Sequence, residues 1–299
     1  MPAEAGVGAD RQLFADLAAD LIGAEIGRGR SADLDRAVAA AAGAAGDGAA
    51  GDGAGRSPVD PSQLAARLRR APAGDPARRA FVEALTISET QLFRIQPQFD
   101  ALADRVLPGL LAARAAPGAR LRLWSAGCST GEEAWSLAIV LERLLPAGRD
   151  ATVVATDVDE TALERAERGV YGPHSFRGVP EWVRARWFTP AGPDRWEVDQ
   201  RLRRRVHFAL LNLVAGGYPS PANGTAAVDV LLCRNVLMYL TAEARQRVAG
   251  RLARCLAPGG WLAVAPAEVA AADFPGLAVR HFPLAILHQR PDPAGPAAP

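Results

Sequence analysis

The stretch LRLWSAGCSTGEEAWSLAIVLERLL, residues 121–145, decides the fold. Its first seven residues, LRLWSAG, are a short apolar run ending in glycine, the pattern of a strand that stops at a turn. From Glu132 onward the spacing changes, and Ala134, Leu137, Ala138, Leu141, Leu144 and Leu145 fall on one helical face. Between the two, Gly127 and Gly131 let the backbone turn tightly and approach a ligand where a β-carbon would clash.

The same alternation continues downstream. TVVAT (152–156) reads as the next strand, and TALERAERG (161–169) as a helix ended by glycine. VHFALLNL (206–213) and VDVLLC (228–233) are further strands. A helix from Thr241 stops at Pro258-Gly259-Gly260, and WLAVA (261–265) and HFPLAILH (281–288) supply the last strands. Strands alternating with helices of this length predict an α/β fold with a doubly wound, mostly parallel sheet. Residues 170–205 break the pattern; with Tyr171, Trp182, Trp187 and Trp196 they read as a small inserted subdomain.

Upstream the chain is different in kind. Residues 11–26 place Leu13, Phe14, Leu17, Leu21 and Ile22 near helical spacing, and 31–42 is a second, alanine-rich helix. GAAGDGAAGDGAG (43–55) is low-complexity, so a flexible loop is expected over about 43–57. A short helix over 61–70 follows, FVEALTISETQLFR (81–94) starts the next unit, and Pro97 opens a further helix. The expected division is a helical N-terminal domain, 1–80, and a larger domain, 81–299.

Composition removes several chemistries. All 34 basic side chains are arginine, and without lysine there is no Walker-A phosphate loop, kinase strand lysine or Schiff-base amine. Against them stand 33 acids, so a net charge of +1 gives no global basic field for nucleic acid. Cys128, Cys233 and Cys255 have no close spacing, which argues against a disulfide framework or a metal site. No leader and no apolar run of membrane-spanning length stands out, so a cytoplasmic protein without membrane insertion is expected.

In an open parallel sheet, ligands sit beyond the carboxyl ends of the strands. The second strand ends at Asp157, whose carboxylate can accept hydrogen bonds from both ribose hydroxyls of a nucleoside. The glycine turn lacks the G-x-G-x-x-G pattern, so a pyrophosphate is not well provided for; a glycine-turn strand followed by an acid ending the second strand is the arrangement expected for S-adenosylmethionine (SAM). On this feature alone NAD stays open. Each half also has an ordinary explanation, tight packing for the glycines and an N-cap for the aspartate.

Taken with its neighbours, the sequence resembles the CheR-type chemotaxis methyltransferases, SAM-dependent protein-glutamate O-methyltransferases. The resemblance runs from Phe81 to His288 and rests on ALTISETQLFR (84–94), WSAGCSTGEEAWSLAIVL (124–141), ATDVDETALERAERGVY (155–171), LLNL (210–213) and CRNVLMYL (233–240). It implies a cofactor site built from Ser88, Thr90, Arg94, Gly127, Glu133, Asp157, Asn212, Leu213, Arg234 and Asn235. Asp157 would hold the ribose, Asn212 and Leu213 would bracket the adenine, and Glu133 would meet the methionine amino group. Arg234 and Asn235 would face the methionine moiety and its methyl. Arg94 and Tyr239 are the implied catalytic residues, one gripping the substrate carboxylate and the other bonding it or lining the methyl path. The implied partners are cytoplasmic helices of chemoreceptor-like proteins, met by a monomer.

Three departures from the family pattern stand out. Ser88 replaces an asparagine, Ala134-Trp135 replaces Pro-Tyr, and Ala265-Pro266-Ala267-Glu268 stands where a Gly-His-Ser-Glu-like turn is expected. The N-terminal helix, basic in the family, here reads SADLDRAVAAAAGAAG (31–46) with one arginine; arginines cluster instead at 67–70, 78–79 and 201–205. Two alternatives remain, the same fold acting on another substrate and a catalytically degenerate SAM-binding signalling protein. Arg234-Asn235-Val236-Leu237 lacks the Asn/Asp-Pro-Pro-aromatic turn of nucleic-acid amino-methylases.

Overall fold

A computed structural model describes residues 2–46, 60–116 and 118–293. Among the described residues, four α-helices open the chain: α1 (Pro2–Ile22), α2 (Ser31–Gly46), α3 (Pro61–Arg70) and α4 (Pro76–Leu85). Helices α3 and α4 start alike, with Asp60 and Asp75 each accepting two backbone N–H groups and a proline in the first turn. Phe14, Leu17, Leu34, Ala37, Leu68 and Phe81 are buried together as the core of this bundle.

Three expectations shift here. The helix expected over 11–26 ends at Ile22, because Gly23 takes a φ of +69° and Ala24 N–H turns back to Ala18 O. Helix α2 continues past 42 to Gly46, its alanines outlasting the expected loop start; the rest of that loop, 47–57, lies outside the described residues. The division expected between 80 and 81 falls inside α4, whose Phe81 and Leu85 belong to the N-terminal core.

Helix α5 (Gln96–Ala101) runs through a short π segment into α6 (Leu107–Ala113). The α/β unit then follows: β1 (Arg120–Ala126), α7 (Glu132–Leu144), β2 (Asp150–Asp157) and α8 (Glu160–Arg168). The insert comprises β3 (Val170–Tyr171), α9 (Glu181–Trp187), β4 (Phe188–Pro190), β5 (Trp196–Val198) and α10 (Gln200–Arg203). After it come β6 (Val206–Leu210), β7 (Val228–Leu232), α11 (Ala242–Cys255), β8 (Leu256–Ala263), β9 (Ala278–Phe282) and β10 (Ala285–Gln289).

The seven-stranded sheet has the order β6-β2-β1-β7-β8-β10-β9. The first five of these pair in parallel and β10 is antiparallel to both its neighbours, as a mostly parallel sheet requires. HFPLAILH is therefore a hairpin rather than one strand, broken at Pro283 and Leu284, the latter at φ +58°. Both faces of the sheet are covered. Leu121 and Leu123 of β1 pack with α7, while Trp124 and Ala126 pack with α11, the alternation of a strand buried on both sides. The chain builds outward from β1 in both directions, so the strand order reverses there and opens a crevice beyond the carboxyl ends of β1, β2 and β7.

The insert forms its own antiparallel sheet, β3-β5-β4, with the Phe176 ring 4.9 Å from Phe188 and 5.4 Å from Trp196. No helix among the described residues is long and apolar enough to cross a membrane.

Candidate active site

The turn after β1 is held to β2 by its own backbone. Gly127 and Cys128 both donate N–H to Thr156 O, at 2.7 and 2.9 Å. Gly127 sits at φ +79°, and a β-carbon there would collide with Val236 Cγ2. Asp157 Oδ2 accepts Ser129 N–H at 2.7 Å and Oδ1 accepts Asp159 N–H at 3.0 Å. A carboxylate has about four acceptor positions, so capacity remains for a ligand. Burial raises the Asp157 carboxyl above its ordinary value, opposed by those same backbone N–H groups.

A buried polar knot braces the wall of the crevice. Glu133 accepts Ser125 Oγ–H at 2.6 Å on one oxygen and Arg234 Nε–H at 2.7 Å on the other. Arg234 Nη1 reaches Arg94 O at 2.5 Å and Gln98 Oε1 at 3.1 Å, and its guanidinium lies 4.9 Å from the Phe99 ring centre. The loop carrying Arg94 is locally contorted, with Phe93 and Ile95 at φ +54° and +59°. Phe93 N–H is anchored on Ser136 Oγ at 2.9 Å, and Arg94 Nη1 on Glu89 O at 2.7 Å.

One cleft gathers Thr90, Arg94, Gly127, Glu133, Asp157, Asn212, Leu213, Arg234, Asn235 and Tyr239. Residues 88–275 match the family described as CheR methyltransferase, SAM binding domain. The chain belongs to the CheR methyltransferase family. It is similar to chemotaxis protein methyltransferase Cher2 of Pseudomonas putida, with 34% identity over 69% of this chain and 74% of the relative. Chemotaxis protein methyltransferase 1 of Pseudomonas aeruginosa is 36% identical over 69% of this chain and 74% of its own. A probable biofilm formation methyltransferase, WspC, of the same species is 34% identical over 71% of this chain and 49% of the relative.

SAM, the cofactor of the CheR family, fits the residues present. The glycine turn gives close backbone approach, Asp157 gives acceptors for a diol, and Ile22, Leu213 and Val214 give an apolar slot for a base. The Ser129 hydroxyl is buried at this turn with no hydrogen-bond partner among the described residues, a group that bound ligand can satisfy.

Four side chains of this CheR methyltransferase take positions or partners that the sequence motifs do not announce. Ser88 is exposed and outside the cleft lining, since neighbouring Ile87 and Glu89 turn toward the cleft instead. The Asn212 side chain donates to Leu21 O at 2.6 Å and accepts Val214 and Ala215 N–H, so it ties down α1. Glu133 and Arg234 form a buried ion pair within the wall of the cleft that both line.

Other residues of the cleft were invisible in the sequence. The segment after α1 crosses the opening, with Glu25 N–H on Tyr239 O and Thr241 N–H on Gly23 O, both at 2.8 Å. With the end of α1 it brings Ile22, Ala24 and Arg30 into the lining. Arg30 is held by Asp33 at 3.0 Å and Leu85 O at 2.6 Å, its guanidinium 5.9 Å from the Tyr239 ring centre. No local pattern announces contacts between positions so far apart. The Trp135 departure also finds its reason: Trp135 Nε1–H donates to Tyr171 Oη at 2.6 Å, and Tyr171 donates to Thr130 O at 2.7 Å, joining the insert to the glycine turn.

Proposed function

We propose that this SAM-dependent methyltransferase forms methyl esters on glutamate side chains of cytoplasmic helices in chemoreceptor-like signalling proteins. The carrying observation is the placement of Arg94 and Tyr239 in one cleft with Asp157. Bound SAM supplies an electrophilic methyl on a sulfonium. A glutamate carboxylate is already anionic at neutral pH, so the chain needs no general base. What it supplies is orientation and exclusion of water. Only Nη1 of Arg94 has a protein partner among the described residues, which leaves its planar fork able to grip a carboxylate. Tyr239 offers a hydroxyl from the facing loop. Asp157 is assigned to the ribose, and the backbone at Asn212 and Leu213, with Thr90 and Asn235, to the rest of the cofactor.

Recognition of the acceptor helix does not run through a basic α2. Its one arginine, Arg36, pairs with Asp33 at 2.5 Å. Among the described residues, Arg30 is the cation of the N-terminal helical region that lines the cleft, where it contacts Tyr239. The proposed setting is chemotaxis-type adaptation in the cytoplasm, by a monomer. Isothermal titration with SAM, combined with a labelled-methyl assay on receptor cytoplasmic helices, tests the reading. Base-labile label on glutamate supports it; SAM binding with no label on any receptor helix refutes it.

A further inference from the structure

Beyond the carboxyl end of β7, the chain leaves the sheet while still inside the protein. Cys233 N–H makes the last strand-like bond, to Ala263 O at 2.9 Å, and Asn235 then takes a left-handed φ of +59°. The loop that follows places Asn235, Val236, Tyr239 and Leu240 on the cleft. This loop, with Asn235, Val236 and Tyr239 half-buried, has N–H groups that no neighbouring strand can satisfy, and each left alone is costly.

One side chain meets this need. Glu268 is wholly buried, and its carboxylate accepts four backbone N–H groups. Oε2 takes Asn235 at 2.9 Å and Ala265 at 2.9 Å; Oε1 takes Val236 at 2.8 Å and Met238 at 3.2 Å. The glutamate thus grips the loop from behind while the opposite side of the loop faces the cleft. The same loop receives the N-terminal segment, through Tyr239 O and an antiparallel bridge between Ala24 and Leu240. In the turn 265–268, where the sequence departs from its family, the glutamate is the residue that remains.

We propose that Glu268 is a positioning residue for methyl transfer, setting the Asn235–Tyr239 loop and the docking of residues 23–25 upon it. This deepens the methyl-transfer reading above and rests on it. It never touches the reactants; it acts through backbone.

The test compares Glu268→Gln with Asp229→Asn. A glutamine turns one acceptor oxygen into an NH2 group that faces backbone donors. Asp229 is an equally buried carboxylate that accepts Arg122 N–H at 2.8 Å, away from the cleft, and so controls for loss of stability alone. Full-length proteins are assayed for SAM affinity, for kcat and KM of methyl transfer, and for amide exchange at residues 235, 236 and 238. For Glu268→Gln, kcat should fall roughly 10- to 100-fold with a small change in acceptor KM, since misplacement of about 1 Å has that effect. Those three amides should lose protection, and Asp229→Asn should show neither change. Wild-type kcat in Glu268→Gln, or an equal kcat loss in Asp229→Asn, overturns the proposal. If Glu268→Gln does not fold, Glu268→Asp, with its oxygens withdrawn by one methylene, must show the same pattern in milder form; full activity there also overturns it. Failure of the underlying reading appears separately, as no transfer by the wild type. In that event unchanged loop protection and SAM affinity in Glu268→Gln count against the proposal, and their loss upholds the positioning of the loop.

Discussion

Arg234 and Glu133 form an ion pair at 2.7 Å with side chains only 2% and 9% exposed. It connects the end of β7 to the first turn of α7, on the wall that a ligand must lie against. Breaking such a pair leaves an uncompensated charge out of water, at about 3–5 kcal/mol. Arg234→Met should therefore lose about that much stability in urea denaturation. The double variant Arg234→Met/Glu133→Leu should recover part of it, because the second change removes the orphaned carboxylate. Additive losses would show that the pair is not coupled.

Asp157 links cofactor affinity to pH. Burial raises its carboxyl above 3.8 in the folded chain. The sign for folding is that of a raised acid: its contribution is fully present below the unfolded value and lost as pH rises through the folded one. For SAM the direction is opposite, since the role proposed for Asp157 requires the ionised form to accept both ribose hydroxyls. Affinity measured by titration calorimetry should fall as pH drops, with a midpoint above 3.8. Asp157→Asn should weaken binding at neutral pH by about 1.5–3 kcal/mol and abolish that acid limb.

Arg94→Ala should separate binding from chemistry. Its Nη1 bond to Glu89 O and its carbonyl bond from Arg234 show how the loop is held, and only the first is lost with the side chain. We expect SAM binding to persist while kcat falls by roughly 100-fold or more, the size of losing a preorganised charged donor. Arg94→Lys should lie between, since an ammonium cannot form the bidentate grip. Unchanged turnover in Arg94→Ala would remove the role assigned to it.

Much of the fold was legible because its signals are local. The strand, glycine turn and helix of 121–145 follow from period and punctuation, and the motifs placed nearly every cleft residue. The side-chain partners that the motifs do not announce share a physical cause. Asn212 faces Leu21, and Glu133 faces Arg234, through contacts separated by 191 and 101 positions. A residue type shows what bonds are available, whereas the partner that uses them is set by tertiary packing. Arg30 was hidden for the same reason: it enters the cleft on a segment with no motif of its own. The hairpin at Pro283 and Leu284 was missed for a local reason, the proline being read inside a strand that it ends.

Two glycines isolate what the cofactor turn requires. Gly127 and Gly118 have nearly the same φ, +79° and +77°, but a β-carbon on Gly118 meets nothing within 4 Å, whereas one on Gly127 strikes Val236. Alanine at either position incurs the left-handed penalty, about 1–2 kcal/mol. Gly127→Ala should be the more destabilised of the two in thermal denaturation, by the added displacement of Val236. It should also weaken SAM binding, because Val236 belongs to the loop that walls the cleft. Gly127→Ala/Val236→Ala should return to the stability loss of Gly118→Ala once the effect of Val236→Ala alone is subtracted. If Gly118→Ala and Gly127→Ala are equally destabilised, the close approach of Val236 to this turn carries no energetic weight.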